Sequence, residues 1–453
     1  MDQQMPQDSS SRTQKRKKNV AAKTIEPENK NLEGVKKEYW RYILLKAALR
    51  GNWDEASRIF VQYEGAITAP IGMQSETVLQ TAVGAGERAI HFVEKLVELM
   101  PVEALALQDR NGITTLHTAA SVGNKRAVVV LVQKNPDLVY ISNSTDHIPV
   151  HNAAKYACKD ILLFLLAATK DDHVPRPFSN ERVVRLVNYA ITSGFFDVAL
   201  NLVQRYTQAA KSKVDGNEYA LARIARKPSA FPSGSGLNFW QHIIYCCVPV
   251  KLETNPIKDP LSRGDLENPA AANRRSQVIV HKYNWSIWAR LLKDFSISGL
   301  PLIKHIQEQK QMHLEALTLL KFVCDEVRSL DDSGAFSSFT KDPVISATKL
   351  GIHEVIEEIL DSFPETIWMT DNDNRTLFER AVINRNENVF NLLYQMGDHK
   401  LYIKRVHDYG GPRDTIWHLA GRLAPQRKLD LIPSAALQMQ RELQWFQVRH
   451  LTF

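Results

Sequence analysis

Two histidines are the residues of this chain whose type and spacing most invite a chemical role. His117 and His151 lie 34 residues apart, and each stands two residues before a pair of alanines. Imidazole groups bind metal ions and act as general acids and bases near neutral pH. The same side chain returning at one interval with the same neighbours is, however, typical of a repeated structural unit. The pattern therefore favours a structural role over a catalytic or metal-binding one.

A second candidate is the stretch Gly84–Ala89, which has the spacing of a dinucleotide-binding loop and is followed by Asp109 twenty residues later. Such a loop needs a β-strand immediately before it. Residues 78–83 carry a helical pattern instead, so the glycines are predicted to form a turn between two helices. Nucleotide binding is not expected here.

Two partial metal motifs lie in the C-terminal half of the chain. The run Asp371-Asn372-Asp373-Asn374-Arg375 begins like a calcium loop, but Thr376 stands where that loop needs glycine for its sharp turn. His353 and Glu354 open a stretch that resembles a zinc-binding helix, but the second histidine is missing. No nucleophile with a matching base stands out either. The sequence therefore predicts no catalytic, cofactor or metal site, and no enzyme.

The composition limits the class of protein. At 453 residues the chain exceeds the roughly 250–300 residues that one hydrophobic core supports. Its 44% hydrophobic and 24% charged residues are typical of a globular protein. Because the four cysteines show neither metal-ligand spacing nor a disulfide framework, we expect a reducing compartment inside the cell.

The net charge of +7 is carried in part by a polar N-terminal tail, with Arg12 and the basic run Lys15–Lys18. Such a cluster suits a nuclear import signal or a patch for anionic surfaces, and a solvated, disordered tail is the simpler interpretation. The longest strongly apolar run, Ile161–Ala168, has eight residues. A helix that spans a bilayer needs roughly 20. The chain is therefore expected not to cross a membrane.

Helices must position the candidate residues described above, because the chain shows helical periodicity. Anchor residues recur along the chain, each followed by small residues and then by a second apolar pattern. In the N-terminal half the anchors are Leu44, Leu79, Leu116, Val150, Val187 and Leu221, at intervals of 34 to 37 residues. The phase returns at Val344, Phe378 and Trp417. These recurrences predict an all-α solenoid of stacked helix pairs, in two arrays.

The segment between the arrays interrupts the pattern. Leu252–Gln277 is Pro-rich, charged and aperiodic, which predicts a linker, and an amphipathic helical pair follows it. The first helix of that pair, with Trp285 and Trp288, resembles a calmodulin target, although core packing is the favoured interpretation. The predicted organisation is a disordered basic tail over 1–36, an array of about six repeats over 37–250, a flexible linker over 251–280, the helical pair over 281–332, an array of about three repeats over 333–431 and a terminal amphipathic helix over 432–453.

The repeated unit resembles the ankyrin repeat, whose consensus is Thr-Pro-Leu-His-x-Ala at a period near 33. The best copies are Thr114-Thr115-Leu116-His117-Thr118-Ala119 and Ile148-Pro149-Val150-His151-Asn152-Ala153. In ankyrin repeats this histidine hydrogen-bonds backbone near the repeat turn. The resemblance implies that role for His117, for His151 and for His418, which is in the same predicted phase. It also implies a concave surface that binds other proteins.

Further motifs resemble those of a plant ankyrin-repeat family whose members carry a C-terminal membrane domain named for a Pro-Gly-Gly motif. That family includes accelerated-cell-death-like and salt-tolerance-related proteins. The motifs are Lys227–Gly234, the helix Lys310–Val327, Trp417–Pro425 and Ala436–Phe446. The resemblance spans about residues 37–450 and implies a partner-binding region in defence, cell-death or stress signalling. Because the sequence stops at Phe453, before that domain, membrane association is expected only indirectly or through such a missing segment.

The predicted function is therefore a non-catalytic scaffold whose partners are other proteins, with no cofactor and no small-molecule substrate. Nucleic acid is not an expected partner, because no base-reading helix or zinc finger is visible. The expected location is the cytoplasm, including the inner face of the plasma membrane; a nuclear adaptor that uses the basic cluster is the alternative. Loop geometry selects these partner-binding candidates: Asp109, Arg110, Asn111, Ser144, Thr145, Asn372 and Asn374.

Overall fold

The computed structural model describes residues 29–63, 65–174, 176–213, 218–250, 301–330, 333–392 and 416–452. Over these residues the chain is helical, and its only extended pairings are isolated bridges. The predicted all-α repeat architecture is confirmed. The predicted tail up to residue 28, the linker Leu252–Gln277 and the helix with Trp285 and Trp288 lie outside the described residues.

One helix pair shows why the sequence folds in this way. Helix α5 (Thr115–Val122) begins after Thr114, which forms a capping box with His117. It ends at Gly123, whose φ of 78° is left-handed, a conformation that glycine adopts without steric cost. The side chain of Asn124 then accepts a backbone hydrogen bond at the start of α6 (Lys125–Lys134). These residues fix a tight turn between two antiparallel helices.

The buried face of α5 explains the stacking. Leu116, Ala119 and Ala120 are completely buried. Alanine pairs let the backbones of successive first helices approach closely, while the larger anchor fills the space between the two helices of a pair.

The same design recurs in the first helices of successive pairs. They are α1 (Asn29–Arg50), α3 (Val78–Gly84), α5, α7 (Pro149–Lys155), α9 (Asn180–Ser193), α12 (Ala220–Ala225), α15 (Ser333–Leu350), α17 (Leu377–Ile383) and α19 (Ile416–Gly421). The second helices are α2 (Trp53–Gln62), α4 (Ile90–Leu99), α6, α8 (Lys159–Ala168), α10 (Phe196–Arg205), α14 (Pro301–Arg328), α16 (His353–Ser362) and α18 (Glu387–Asn391). The remaining helices are α11 (Gln208–Lys211), α13 (Phe239–Cys247), α20 (Gln426–Leu429) and α21 (Ala435–Thr452).

The stack of first helices is continuous. Each first helix packs against the next from α1 to α19, and α12 packs directly against α15. The two arrays that are separated in the sequence are therefore adjacent in space.

Helix α14 completes the sixth pair from far along the chain. The sequence pattern breaks at Pro228, Pro232 and Gly234, which form short 3₁₀ turns, and it resumes at Leu237–Cys247, where it predicts the second helix of this repeat. Helix α14, however, packs against α10, α12 and α16, which is the place of that second helix. An ion pair of 3.0 Å between Lys211 and Glu326 joins α11 to α14. The residues between α12 and α14 are thus an insertion within one repeat.

The first part of this insertion is tied to the stack by polar contacts. The backbone N–H and the hydroxyl of Ser233 both donate to the Glu354 carboxylate on α16. The Lys310 ammonium donates to the carbonyls of Tyr245 and Val248, at 2.7 and 2.8 Å, at the end of α13. A cation there neutralises the partial negative charge of a helix C-terminus.

Helix α1 begins at Asn29, within the tail predicted over 1–36, and two later first helices also begin earlier than their sequence pattern predicts. Pro149 is the first residue of α7, whereas the corresponding Pro343 lies inside α15. Helix α9 likewise starts several residues before its anchor, Val187. In both places the residues that form a hairpin elsewhere are helical.

The C-terminal end is held by one buried cation. Arg385 has a left-handed φ of 54° and a side chain that is 3% exposed. Its guanidinium donates to the Glu442 carboxylate, at 2.6 Å, and to the carbonyls of Ala420 and Val382. The ring of Trp445 lies 5.6 Å from it. Arg385 therefore joins α17, α19 and α21.

The last predicted repeat copy is shifted by one residue, which corrects the expectation for His418. Leu419 and Ala420 are buried in α19, but His418 is exposed. The buried pair thus starts one residue earlier than the spacing predicts. Helix α19 packs against α17 on one side and against α21, in place of a further repeat, on the other. His418 is therefore not an equivalent of the buried His117.

None of the described helices combines the length and the apolar character needed to span a bilayer.

Candidate functional site

Short hairpins precede several first helices, and we call them fingers. Each closes with a backbone hydrogen bond across its base, as from Asp109 N to Ile113 O at 3.0 Å and from Asp371 N to Arg375 O at 2.9 Å. The fingers are residues 70–77, 108–114, 142–148 and 370–376.

An aspartate or asparagine side chain shapes the last three fingers. The Asp109 Oδ1 atom accepts hydrogen bonds from the backbone N–H groups of Asn111 and Ile113, at 2.8 and 2.9 Å. Asn143 and Asp371 make the same pair of bonds in their own fingers. Short polar side chains favour such turns because they replace a backbone acceptor.

The run that begins like a calcium loop is one of these fingers. Arg380 donates to the carboxylates of both Asp371 and Asp373. Burial opposes ionisation of Asp371, but hydrogen bonds from the Arg375 backbone and from Arg380 outweigh it and lower the pKa of that carboxyl. The carboxylates of Asp371 and Asp373 thus pair with Arg380 within the same repeat. Across the described ranges, no group of three or more histidine, cysteine or acidic residues is placed to hold a metal ion.

The other two motifs also have structural explanations. Helix α3 ends at Gly84, and Gly86, with a φ of 79°, lies in the turn to the next helix. This stretch therefore follows a helix, not the strand that a dinucleotide-binding loop requires. The His353 ring lies 3.4 Å from the Glu354 carboxylate, which also accepts from Ser233.

Neighbouring fingers are hydrogen-bonded to one another through their backbones. Arg110 N donates to Gln74 O at 2.9 Å, and Ser144 N donates to Asn111 O at 3.0 Å. Gly112 makes the second contact possible, because a Cβ atom there would lie 2.8 Å from Ser144 N. Backbone hydrogen bonds therefore join three successive fingers, 70–77, 108–114 and 142–148, and we call this unit the stitched ribbon.

The predicted partner-binding residues fall into two groups. Asp109 is half-buried, and its carboxylate also accepts from the Gln80 side chain at 3.3 Å, so it is used inside the finger. The stitched ribbon brings the candidates on fingers 108–114 and 142–148 together. The candidates on finger 370–376 are separated from them by the first helices α9, α12 and α15. The exposed members are Arg110, Asn111, Ser144, Thr145, Asn372 and Asn374.

Behind the fingers runs a ladder of buried polar side chains, one residue after each anchor. Gln80 donates to Ile113 O at 3.3 Å. His117 Nε2 donates to the carbonyl of His147, and His151 Nε2 donates to that of Arg182, each at 2.9 Å. The carbonyls of Ile113 and His147 lie just before the next first helix, whereas that of Arg182 lies in the first turn of α9. We call these three residues, Gln80, His117 and His151, the polar ladder.

Both ladder histidines are neutral near physiological pH. Each is completely buried, and burial lowers the pKa of each imidazole from 6.5 to about 4. In His117 the Nδ1 atom accepts from Thr114 N at 3.2 Å, which fits a neutral ring protonated on Nε2. These groups are built to hold backbone and not to exchange protons at pH 7.

A family model matches the sequence of this part of the chain. Residues 85–175 match the model for ankyrin repeats, in three copies. These residues are ankyrin repeats. A search of curated proteins finds no match to the chain. The ankyrin resemblance predicted from the Leu-His and alanine pattern is confirmed.

Several residues that position the surface escaped sequence reasoning. The finger 70–77 was not predicted, although it supplies Gln74 and Ser75 as partners of Arg110. Asp146 pairs with Arg182, and this hydrogen bond lowers the pKa of the Asp146 carboxyl. No local motif marks such pairs, because their partners lie one repeat away.

Proposed function

We propose that this chain is a non-catalytic scaffold that binds other proteins through its finger tips and the exposed faces of its first helices. Ankyrin repeats are, in general, non-catalytic modules that bind proteins. The observation that supports the proposed surface is the stitched ribbon: its backbone is fixed by hydrogen bonds, while the side chains of Arg110, Asn111, Ser144 and Thr145 remain exposed.

Preorganisation favours recognition at such a surface. A loop that is already ordered loses little conformational entropy when a partner binds, so more of the contact energy appears as affinity. The continuous stack of first helices extends the surface from finger 70–77 to finger 370–376. We propose that Asn372 and Asn374 contact the far end of a long partner segment.

We further propose that this binding serves defence, cell-death or stress signalling in the cytoplasm. This part rests on the resemblance of Trp417–Pro425 and Ala436–Phe446 to the plant family named above.

Affinity capture from a plant extract tests the proposed surface. The full chain carrying Arg110→Glu and Thr145→Lys should recover its partners at least several-fold less well than the unchanged chain. The matched control is Lys125→Glu with Asp160→Lys, which reverses an exposed ion pair on the second helices. Circular dichroism should show that both variants are folded. If the finger variant then recovers its partners as well as the unchanged chain does, the fingers are not part of the binding surface.

A further inference from the structure

Four cations gather on the first helices in the middle of the stack. Lys155 is in the last turn of α7, and Arg223, Arg226 and Lys227 lie in and just after α12. Lys155 and Arg226 are exposed. We call these four residues the basic band.

Contacts through α9, which packs between α7 and α12, connect the band into one surface. The Lys155 ammonium lies 6.0 Å from the ring of Tyr189 on α9. The Arg223 guanidinium donates to the Thr192 hydroxyl at 3.4 Å, and the Lys227 ammonium donates to the Thr192 carbonyl. The side chains of three neighbouring first helices thus form a continuous face.

Aromatic rings accompany these cations. Tyr156 follows Lys155 and is 54% exposed, and Tyr189 is half-buried beside it. A large exposed ring is not needed for stacking the repeats, since the equivalent position on α5 holds Val122. Exposed tyrosines next to cations are common at protein-binding sites because a ring offers contact area at a low entropy cost.

The charge differs from helix to helix within the stack. Helices α3 and α5 contain no Asp, Glu, Lys or Arg. Helix α16, on the opposite layer of second helices, carries Glu354, Glu357, Glu358 and Asp361 and no Lys or Arg. A cation in a last turn also stabilises its own helix, but that effect accounts for one cation per helix and not for three around α12.

One carboxylate lies among the cations of α12. Glu218 pairs with Arg223 at 3.0 Å and with Arg226. These side chains are 28% to 44% exposed, so the pairs remain open to solvent and cost little to exchange. These pairs show that the guanidinium groups of Arg223 and Arg226 bind a carboxylate at this surface.

We propose that the basic band binds an acidic peptide segment of a partner protein. The proposal rests on the protein-binding function above and adds its chemical class. Packed first helices are about 10 Å apart, and an extended chain advances about 3.3 Å per residue. Carboxylates about six residues apart on an extended peptide therefore meet the cations of α7 and α12, which lie two first helices apart, with apolar side chains between them against Tyr156 and Tyr189.

A nucleic acid fits this surface less well. Its phosphates carry one negative charge at every nucleotide, and the Glu218 carboxylate lies among the cations that would meet them. A peptide can place a neutral residue opposite Glu218, whereas a phosphate backbone cannot. A protein partner is thus the better match to the charge pattern.

Fluorescence anisotropy on the full chain tests the proposal. The probe is a labelled extended peptide of Glu-Gly-Tyr triplets, and the matched peptide has glutamine in place of glutamate. The glutamate peptide should bind, the glutamine peptide should bind about tenfold or more weakly, and the difference should shrink as salt is raised. An oligothymidylate of equal charge should compete poorly.

Two charge-reversed variants provide the control. Lys155→Glu with Arg226→Glu should lower the affinity for the glutamate peptide about tenfold or more, while Lys125→Glu with Arg126→Glu, the same change of charge on α6, should alter it less than about twofold. Equal losses in both variants, no preference for glutamate over glutamine, or stronger competition by the oligothymidylate would each overturn the proposal. If partner capture still depends on the fingers after such a result, the scaffold function stands and only the acidic class fails.

Discussion

The two halves of the stack are held together by different chemistry. Between α3 and α9 the repeats are joined by the polar ladder, whose members are neutral, buried and bonded to backbone. Ion pairs such as Asp146–Arg182 also join repeats there, but from α12 onward the ladder position is occupied by Ala222, Ile345 and Glu379, and charged side chains make the joints without a ladder. There the joints are Lys211–Glu326, Ser233–Glu354 and Arg385–Glu442.

This difference teaches how a solenoid can accept an insertion. Each rung of the ladder reaches one carbonyl near the start of the next first helix, whether a finger precedes that helix, as for His117, or not, as for His151. Once the second helix of the sixth pair comes from a distant part of the chain, longer charged side chains make the joints. We call the part from α3 to α9 the ladder half and the part from α12 onward the insertion half. The stability of the ladder half should therefore respond to acid, and that of the insertion half to the loss of single charged side chains.

The largest effect is expected from Arg385→Met. This change leaves the Glu442 carboxylate and the carbonyls of Ala420 and Val382 without their buried donor. Breaking a buried pair on one side costs about 3–5 kcal/mol. Hydrogen exchange should accelerate in α17, α19 and α21 while α5 to α8 keep their protection.

The exposed Arg441→Met on α21 is the control and should change the exchange by less than about 0.5 kcal/mol. If Arg385→Met accelerates exchange equally in α5 to α8, the two halves unfold as one unit, and the comparison between them is wrong.

Acid should weaken the ladder half through His117 and His151, and burial also lowers the pKa of His313 on α14, so acid should act on the insertion half as well. The folded pKa of His117 and of His151 is about 4, below the ordinary 6.5, so the unfolded chain binds more protons between these values. Their contribution is fully present above pH 6.5 and is lost as the pH falls to 4, by about 3 kcal/mol for each histidine. Chemical denaturation across this pH window measures the loss.

The variant His117→Gln sharpens this test. Glutamine is the natural ladder residue at Gln80, so it can donate to the next carbonyl without titrating. We expect a cost of about 1 kcal/mol at pH 7 and roughly half of the acid dependence. An identical acid dependence in His117→Gln and the natural chain would show that other groups cause it.

A smaller effect separates finger stitching from backbone strain. Gly112 and Gly194 both have left-handed φ, at 71° and 81°. A Cβ atom at Gly112 would lie 2.8 Å from Ser144 N. A Cβ atom at Gly194 would have no heavy atom within 4 Å apart from those of its chain neighbours. Gly194→Ala should cost about 1 kcal/mol through strain alone, and Gly112→Ala about 1–2 kcal/mol more. Equal melting temperatures for the two variants would argue against close stitching of the fingers.

The smallest effect concerns the hydrogen bonds from Ser233 to Glu354, which tie the insertion to α16. Ser233→Ala removes the hydroxyl donor to Glu354 but leaves the backbone donor, at 2.8 Å, in place. We expect a loss of about 1 kcal/mol, seen as faster exchange of residues 228–247. The matched Ser229→Ala, at an exposed position, should leave exchange unchanged. The hydrogen bond from the Ser233 hydroxyl is unimportant if both serine variants behave alike.

Much of the ladder half could be predicted from the sequence, because its determinants are local. The anchors Leu116 and Val150, the alanine pairs and the left-handed Gly123 lie within a few residues of each other and recur in phase. The candidate finger residues follow from the same spacing, except that Asp109 is committed to its own finger.

The insertion half could not be predicted in the same way, because its determinants are far apart in sequence. Nothing near α12 indicates that α14 supplies its partner helix. Pro343 marks the usual start of a first helix, yet α15 extends beyond it. Arg385 looks like an ordinary turn residue until Glu442 and Ala420 are brought to it by folding. The one-residue shift at His418 has the same origin.

Zero-length carbodiimide cross-linking followed by peptide mass spectrometry tests the continuous stack most directly. The reagent joins an amine to a carboxylate that it contacts, and Lys304 with Glu308, one turn apart in α14, serves as the internal control. The continuous stack predicts amide links between Lys211 and Glu326 and between Lys321 and Glu358, pairs at 3.0 and 3.8 Å that connect α14 to α11 and to α16. Recovery of the Lys304–Glu308 link without either of these two would contradict the placement of α14 in the sixth repeat, and with it the single uninterrupted solenoid.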